Sequence, residues 1–256
     1  MRILITGMNG TVAPALAAHL RHTDRSIVAW NRSLIPVDPF EAGRDFIVRT
    51  RPDCFIHLAM GSPIWAEKIA RTCGEQGITF LFTSSVSVYS NRQKGPFAIH
   101  SVPQPDDDYG RYKLECEQRV RAANPEALIA RLGWQIGTAP GSNNMIDYLE
   151  TTHNREGHIA ASRHWYPACS FLQDTAAALD QLIQNHPAGL YHLDANPGLS
   201  LFDIATRLNE IHGSRWKVVR AEEPTWNTRM TDARIQTSSI AERLSVGPQP
   251  APSAEP

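Results

Sequence analysis

Tyr109 and Lys113, in the stretch Asp108-Tyr109-Gly110-Arg111-Tyr112-Lys113, stand four residues apart and so share one face of a predicted helix. A phenol with a pKa near 10 is a poor proton donor or acceptor at neutral pH, and a nearby cation brings it toward the working range. Lys113 is the expected cation. With 6 tyrosines and 4 lysines in 256 residues, chance supplies only about 0.1 such pairs. Upstream of this pair, a predicted strand ending at Phe82 runs into Thr83-Ser84-Ser85-Val86-Ser87. Parallel α/β sheets bind ligands at the carboxyl ends of their strands, so the Ser85 hydroxyl is placed to hold a carbonyl while Tyr109 supplies a proton. Ser84 and Ser87 are candidate substrate contacts in the same cluster, with ordinary strand-end polarity as their plainer reading.

A second chemical signal lies at the N-terminus. Met1–Thr6 is apolar or β-branched and runs into Gly7-Met8-Asn9-Gly10-Thr11-Val12-Ala13, a G-x-x-G-x-x-A variant of the dinucleotide fingerprint. Gly7 permits the tight turn, Gly10 lets backbone amides approach a pyrophosphate, and Ala13 allows close packing of helix on strand. The free N–H groups at the helix start, Thr11 and Val12 among them, favour phosphate. At the end of the second predicted strand, where an NAD site would place an acid for the ribose 2′-hydroxyl, the chain has Trp30-Asn31-Arg32. A guanidinium there suits a 2′-phosphate, so NADP(H) is the expected cofactor and NAD the less favoured one. Asp38 could reach an adenine edge, but capping the next helix already explains it.

The elements that must position these groups are legible in the apolar pattern. After the glycine turn come a helix over Thr11–Leu20, a strand over Ser26–Trp30 and a helix opened by Asp38-Pro39 that runs to about Thr50. Cys54–Ala59 reads as a strand covered on both faces, Ser62-Pro63 opens a helix ended by Gly77, and Ile78–Phe82 is another buried strand. Helices over Tyr109–Ala123, Phe171–Gln184 and Leu201–His212 follow, with strands at Ala127–Leu132, Gly189–Leu193 and Trp216–Val219. This alternation predicts an α/β fold, a doubly wound parallel sheet of the Rossmann type with a small C-terminal substrate-binding lobe. The expected division is a nucleotide-binding core over 1–135 with further core elements over about 166–195, a lobe from 136–165 and 196–247, and a disordered proline-rich tail over 248–256.

Composition narrows the function classes. A net charge of −1 gives no field able to hold a nucleic-acid backbone or an anionic membrane. No apolar stretch approaches the roughly 18–20 residues that span a bilayer, and the start lacks the pattern of a signal peptide. A soluble, cytoplasmic protein is the expectation, with a small-molecule partner and a homodimer left open. Cys54, Cys73, Cys116 and Cys169 are widely spread, as are the 10 histidines. No metal site is expected, and His22, His57 and the His153/His158/His164 region read as surface or core histidines rather than ligands.

Taken together, the glycine turn, His57-Leu58-Ala59, Ser85, and Tyr109 with Lys113 resemble the extended short-chain dehydrogenase/reductase superfamily. Arg51-Pro52-Asp53, Arg131-Leu132-Gly133-Trp134, Ser142-Asn143-Asn144-Met145, and Arg229-Met230 with Asp232–Ser239 resemble its dTDP-4-dehydrorhamnose reductase branch. The resemblance implies an NADPH-dependent reductase of a keto group on a nucleotide-linked sugar or a comparable metabolite. It implies Tyr109 as the acid, Lys113 as the ribose anchor and Ser85 as the carbonyl-binding hydroxyl. Leu58, Ala59 and Met60 would line the cofactor, and Trp134 with Asn144 would face the substrate. The branch often has Thr-Asp-Tyr where this chain has Ser85-Val86-Ser87, and no Asp-Glu pair follows Ser85, unlike the related sugar dehydratases. Two other readings stay open. One is a catalytically idle NADP-binding subunit, like the regulatory β subunit of methionine adenosyltransferase, and the other an epimerase that retains NAD. Arg155, Arg163, Arg220, Arg229 and Arg234 are candidates to grip a diphosphate.

Overall fold

A computed structural model describes residues 1–245. The chain alternates from its first residues: β1 (Arg2–Thr6), α1 (Val12–Arg21), β2 (Ser26–Ala29), α2 (Glu41–Thr50), β3 (Cys54–His57), α3 (Pro63–Gln76), β4 (Thr79–Ser85), α4 (Asp108–Ala123) and β5 (Leu128–Leu132). There follow β6 (Trp134–Ile136), α5 (Met145–Glu156), β7 (Ile159–Ser162), β8 (Trp165–Tyr166), β9 (Cys169–Phe171) and α6 (Leu172–Asn185). The described chain ends with β10 (Gly189–Leu193), α7 (Leu201–Ile211), β11 (Val218–Ala221), β12 (Trp226–Asn227) and α8 (Ile240–Ser245).

Six of these strands form one sheet in the order β10-β5-β4-β3-β1-β2, and every pairing in it is parallel. The inner strands β3, β4 and β5 are largely apolar and buried because both faces are covered, whereas β2 at the edge is partly exposed. Along β1, side chains alternate between the two faces. Ile3 and Ile5 pack with Leu16 and Leu20 of α1 and Leu179 of α6, whereas Leu4 packs with Phe55, Trp65, Ile69 and Phe80 on the other side. The chain leaves β1 toward β2 and then returns past it to β3. The order therefore reverses between β1 and β3, and a crevice opens above their carboxyl ends. A third apolar cluster, including Ile136, Met145, Leu149, Ile159, Leu201 and Leu208, joins β6, α5, β7 and α7.

The expected fold class is the one observed, and several local expectations hold. Ser62 Oγ accepts the Trp65 N–H at 3.2 Å with Pro63 first in α3, and Gly77 ends that helix in the left-handed region at φ 65°. The opening of α2 differs. The helix begins at Glu41, with Phe40 in helical conformation at its cap and no side-chain cap bond, so Asp38 does not cap it. Burial of Phe40 in the cluster that holds Trp30 and Trp65 sets that start instead. The last predicted strand is shifted to Val218–Ala221, because Trp216 packs into the third cluster and donates its indole N–H to Glu150 at 2.9 Å. Residues 248–256, expected to be a disordered tail, lie outside the described residues.

Candidate functional site

The crevice at the β1/β3 reversal has a volume of about 930 Å³, near the top of the roughly 300–1,000 Å³ typical of ligand sites. Its floor begins at the glycine turn. Gly7 has φ 86°, and a Cβ there would stand 3.0 Å from the Ala59 backbone nitrogen, so both the backbone angle and the space demand glycine. The Gly10 N–H donates to the Gly7 carbonyl at 2.8 Å, which closes the turn ahead of α1. Gly7, Gly10, Thr11 and Val12 all line the crevice, as do Leu58, Ala59 and Met60 opposite them. Thr6 fixes that opposite wall. Its Oγ1 accepts the Leu58 and Ala59 N–H groups at 3.1 and 3.2 Å, which leaves its one proton for His57 Nδ1 at 2.8 Å. His57 is therefore an acceptor at Nδ1 and carries its proton on Nε2. Burial, with Lys113 and Arg32 nearby, pushes its pKa down to about 3, so it stays neutral and acts as a structural brace.

Asn31 and Arg32 stand at the end of the crevice beyond β2. Asn31 Oδ1 accepts the Ser33 N–H at 2.9 Å. Arg32 is exposed, donates to the Met60 carbonyl and lies 4.7 Å from the centre of the Trp65 ring. No carboxylate occurs among residues 29–33, which form this wall.

The three residues expected to do chemistry meet at the other end. Ser85 closes β4, and its Oγ accepts the Ser87 N–H at 3.1 Å and donates to Ser87 Oγ at 3.2 Å. Helix α4 is seated against this turn by two devices. Asp107 Oδ1 caps it by accepting the Gly110 N–H at 2.6 Å, and Gly110 packs so closely that a Cβ would collide with the Ser87 carbonyl. Tyr109, just before that glycine, is 43% exposed at the crevice rim. Partial burial raises its pKa above the ordinary value, with Asp107 adding to the rise and a hydrogen bond to Ser85 opposing it. The expected lowering by Lys113 is not found. Lys113 is buried, its Nζ donates to the Thr83 carbonyl at 2.9 Å, and it lies 5.8 Å from the Tyr109 ring centre. Burial pulls the Lys113 pKa down to about 8. The phenol is thus held protonated at neutral pH.

Ser84, Ser87 and Trp134 also line the crevice. Asn144 does not. It is buried as the cap of α5, with Oδ1 accepting the Ile146 and Asp147 N–H groups at 2.9 and 3.1 Å and Nδ2 donating to Ala139 and Ser142. Its hydrogen-bonding capacity is spent on the loop and helix, and its neighbour Asn143 is the residue that reaches the crevice. None of the five candidate arginines lines it either. Arg155, Arg163, Arg220 and Arg234 pair with acids, and Arg229 bonds to Asn227 and the Pro197 carbonyl.

Sequence reasoning missed a buried brace behind the site. Arg131 on β5 makes a two-pronged pair with Glu117 of α4 at 2.9 and 2.7 Å, and its remaining nitrogen donates to Tyr89 at 2.6 Å. Glu117 lies one turn beyond Lys113, so this pair fixes α4, which carries Tyr109 and Lys113, to the sheet. Four residues C-terminal to Arg131, Gln135 lines the crevice as well.

The RmlD substrate binding domain family model matches residues 64–250. Among curated proteins, the chain is 25% identical over 273 aligned positions to a dTDP-4-dehydrorhamnose reductase of Sinorhizobium fredii, covering 94% of this chain and 90% of that one. It is 23% identical over 221 residues to the dTDP-4-keto-6-deoxy-D-glucose reductase of Streptomyces niveus, covering 80% and 76%. Among solved structures, the dTDP-4-dehydrorhamnose reductase of Bacillus anthracis in complex with NADP superposes with a TM-score of 0.83 at 18% identity, over 95% of this chain and 97% of that one. With its glycine turn, its six parallel strands and its Tyr109/Lys113 helix, the chain belongs to the RmlD substrate binding domain family of the extended short-chain dehydrogenase/reductase superfamily.

Proposed function

We propose that the crevice holds NADPH and that the protein reduces the keto group of a nucleotide-linked sugar to an alcohol. The observation that carries this reading is the meeting of Ser85, Tyr109 and Lys113 in one cavity with the Gly7–Val12 turn. That turn, with a helix start behind it and no side chain at Gly7 or Gly10, fits a pyrophosphate. Arg32, exposed and held by one carbonyl and one ring, is free to exchange these contacts for a 2′-phosphate. Leu58, Ala59 and Met60 offer an apolar wall to the cofactor, with Asn31 beside its ribose.

A reduced nicotinamide bound there supplies a hydride to the carbonyl carbon. The chain's own residues supply the rest. Ser85 Oγ is a donor at the mouth of β4 and can turn from Ser87 to a substrate carbonyl oxygen. Tyr109, protonated at neutral pH, gives its proton to the same oxygen as the C=O becomes CH–OH. Lys113 spends one proton on the Thr83 carbonyl and keeps two donors for a ribose hydroxyl and for the tyrosinate left after proton transfer. That charge also favours the tyrosinate once it forms. Trp134, Asn143, Ser84 and Ser87 would line the substrate side, and the layer around the third apolar cluster would form the substrate lobe. Both relatives named above are reductases acting on dTDP-linked keto sugars, which supports this substrate class. The presence of all three catalytic side chains at one cavity favours an active enzyme over an idle cofactor-binding subunit.

The test is loss of NADPH absorbance with a panel of dTDP-, UDP- and GDP-linked 4-keto sugars. Turnover with at least one member is expected. Tight NADPH binding with no turnover across the panel would contradict the assignment.

A further inference from the structure

Gln135 is a polar residue in a place that does not otherwise call for one. Along β6, Ile136 enters the third apolar cluster, and alternation puts Gln135 on the opposite face of the strand. It is only 6% exposed, yet it lines the crevice. Its Nε2 donates to the Gly133 carbonyl at 2.9 Å. A carbonyl can only accept, so this bond fixes which end of the amide is which. Oε1 is left over, and no protein donor reaches it. An unmade bond at a buried acceptor is costly, whereas an apolar side chain of the same shape would bring no such orphan, at the loss of the bond to Gly133.

We infer that Gln135 Oε1 is a specificity contact that accepts a hydrogen bond from an N–H or O–H donor of the ligand held in the crevice. Two donors have this chemistry: the carboxamide NH₂ of a nicotinamide, and a sugar hydroxyl of the keto substrate. Protein neighbours offer a weaker account. Ser170, the register partner of Gln135 across β6 and β9, also has an unpartnered hydroxyl, but it does not bond to Oε1. A water shared by these two groups is the competing occupant. The inference rests on reading the crevice as a dinucleotide site.

The test replaces Gln135 with Met, which keeps the length and removes the acceptor, and with Glu, which keeps an oxygen at that position. Binding of NADPH and of its 3-acetylpyridine analogue, which has a methyl in place of the amide nitrogen, is measured by fluorescence titration. KM for the keto sugar is measured at saturating NADPH. If the carboxamide is the donor, Gln135→Met weakens NADPH about tenfold and leaves the analogue unchanged. If the sugar is the donor, Gln135→Met leaves NADPH affinity intact and raises KM about tenfold. In either case Gln135→Glu, which in its protonated form keeps an O–H for the Gly133 carbonyl and a C=O acceptor for the ligand, retains more of the affinity than Gln135→Met. Equal losses in both variants, for NADPH, analogue and sugar alike, would mean a structural role and would overturn the inference. So would no change in any of them, the result expected for a shared internal water. Failure of the wild-type protein to bind NADPH at all would instead remove the dinucleotide reading beneath it.

Discussion

Replacing Lys113 with Met should stabilise the fold while abolishing activity. The Lys113 ammonium is 4% exposed, and burial lowers its pKa from 10.5 to about 8. At 1.36 kcal/mol per pH unit, holding it charged in the folded state costs about 3 kcal/mol at pH 7. The bond to the Thr83 carbonyl returns about 1 kcal/mol, and Met fills a similar volume. The variant should therefore gain about 2 kcal/mol, or about 4–8 °C in Tm for a chain of this size. The sign of the pH dependence follows from proton counting. Between pH 8 and 10.5 the folded protein has released the Lys113 proton and the unfolded chain still holds its own, so wild-type stability rises with pH there. The gap between variant and wild type should stand in full below pH 8 and close as pH climbs to 10.5. Parallel thermal melts at pH 7, 9 and 10 measure both features. A variant melting at or below wild type at pH 7, or a gap constant with pH, would refute the desolvation argument.

Other outcomes follow from single contacts. Arg32→Ala should erode the preference for NADPH over NADH, read as the ratio of the two dissociation constants. Equal weakening of both would assign Arg32 to its contacts with Met60 and Trp65. Asn144→Ala should cost about 1–2 kcal/mol in denaturant unfolding through loss of the α5 cap, with KM for substrate little changed. A large KM effect at unchanged stability would return Asn144 to the substrate side. Glu117→Gln should lower stability by about 3–5 kcal/mol, because it leaves the Arg131 guanidinium buried and underpaired. A change within about 1 kcal/mol would show that the pair does not hold α4 to β5.

What the sequence made legible and what it hid divide along physical lines. The β1–turn–α1 unit, the Ser62-Pro63 opening, the Gly77 stop and the Tyr109/Lys113 face are all written in neighbouring residues, where backbone geometry and spacing decide the outcome. Asn144 had an equally local signal. An Asn ahead of Met145, Ile146, Leu149 and Thr152, the residues α5 buries, marks a cap, but family resemblance drew it toward the substrate instead. The start of α2 misled because Asp-Pro is a good opening in isolation, while packing of Phe40 was a tertiary matter. The Lys113 bond to Thr83 and the Arg131–Glu117 pair join strands and helices distant in sequence, and whether the Gln135 oxygen finds a partner depends on how β6 packs. No local pattern could announce them. Lys113 is expected to lower the Tyr109 pKa, and burial of the phenol raises it instead.

The most direct measurement of the central claim is a comparison of Tyr109→Phe with wild type, pairing NADPH titration with single-turnover reduction of a keto sugar that the wild type accepts. Loss of the phenol proton alone should leave the NADPH dissociation constant within about twofold and slow reduction by about 10²–10⁴-fold. Reduction at the wild-type rate by the Phe variant would contradict the account.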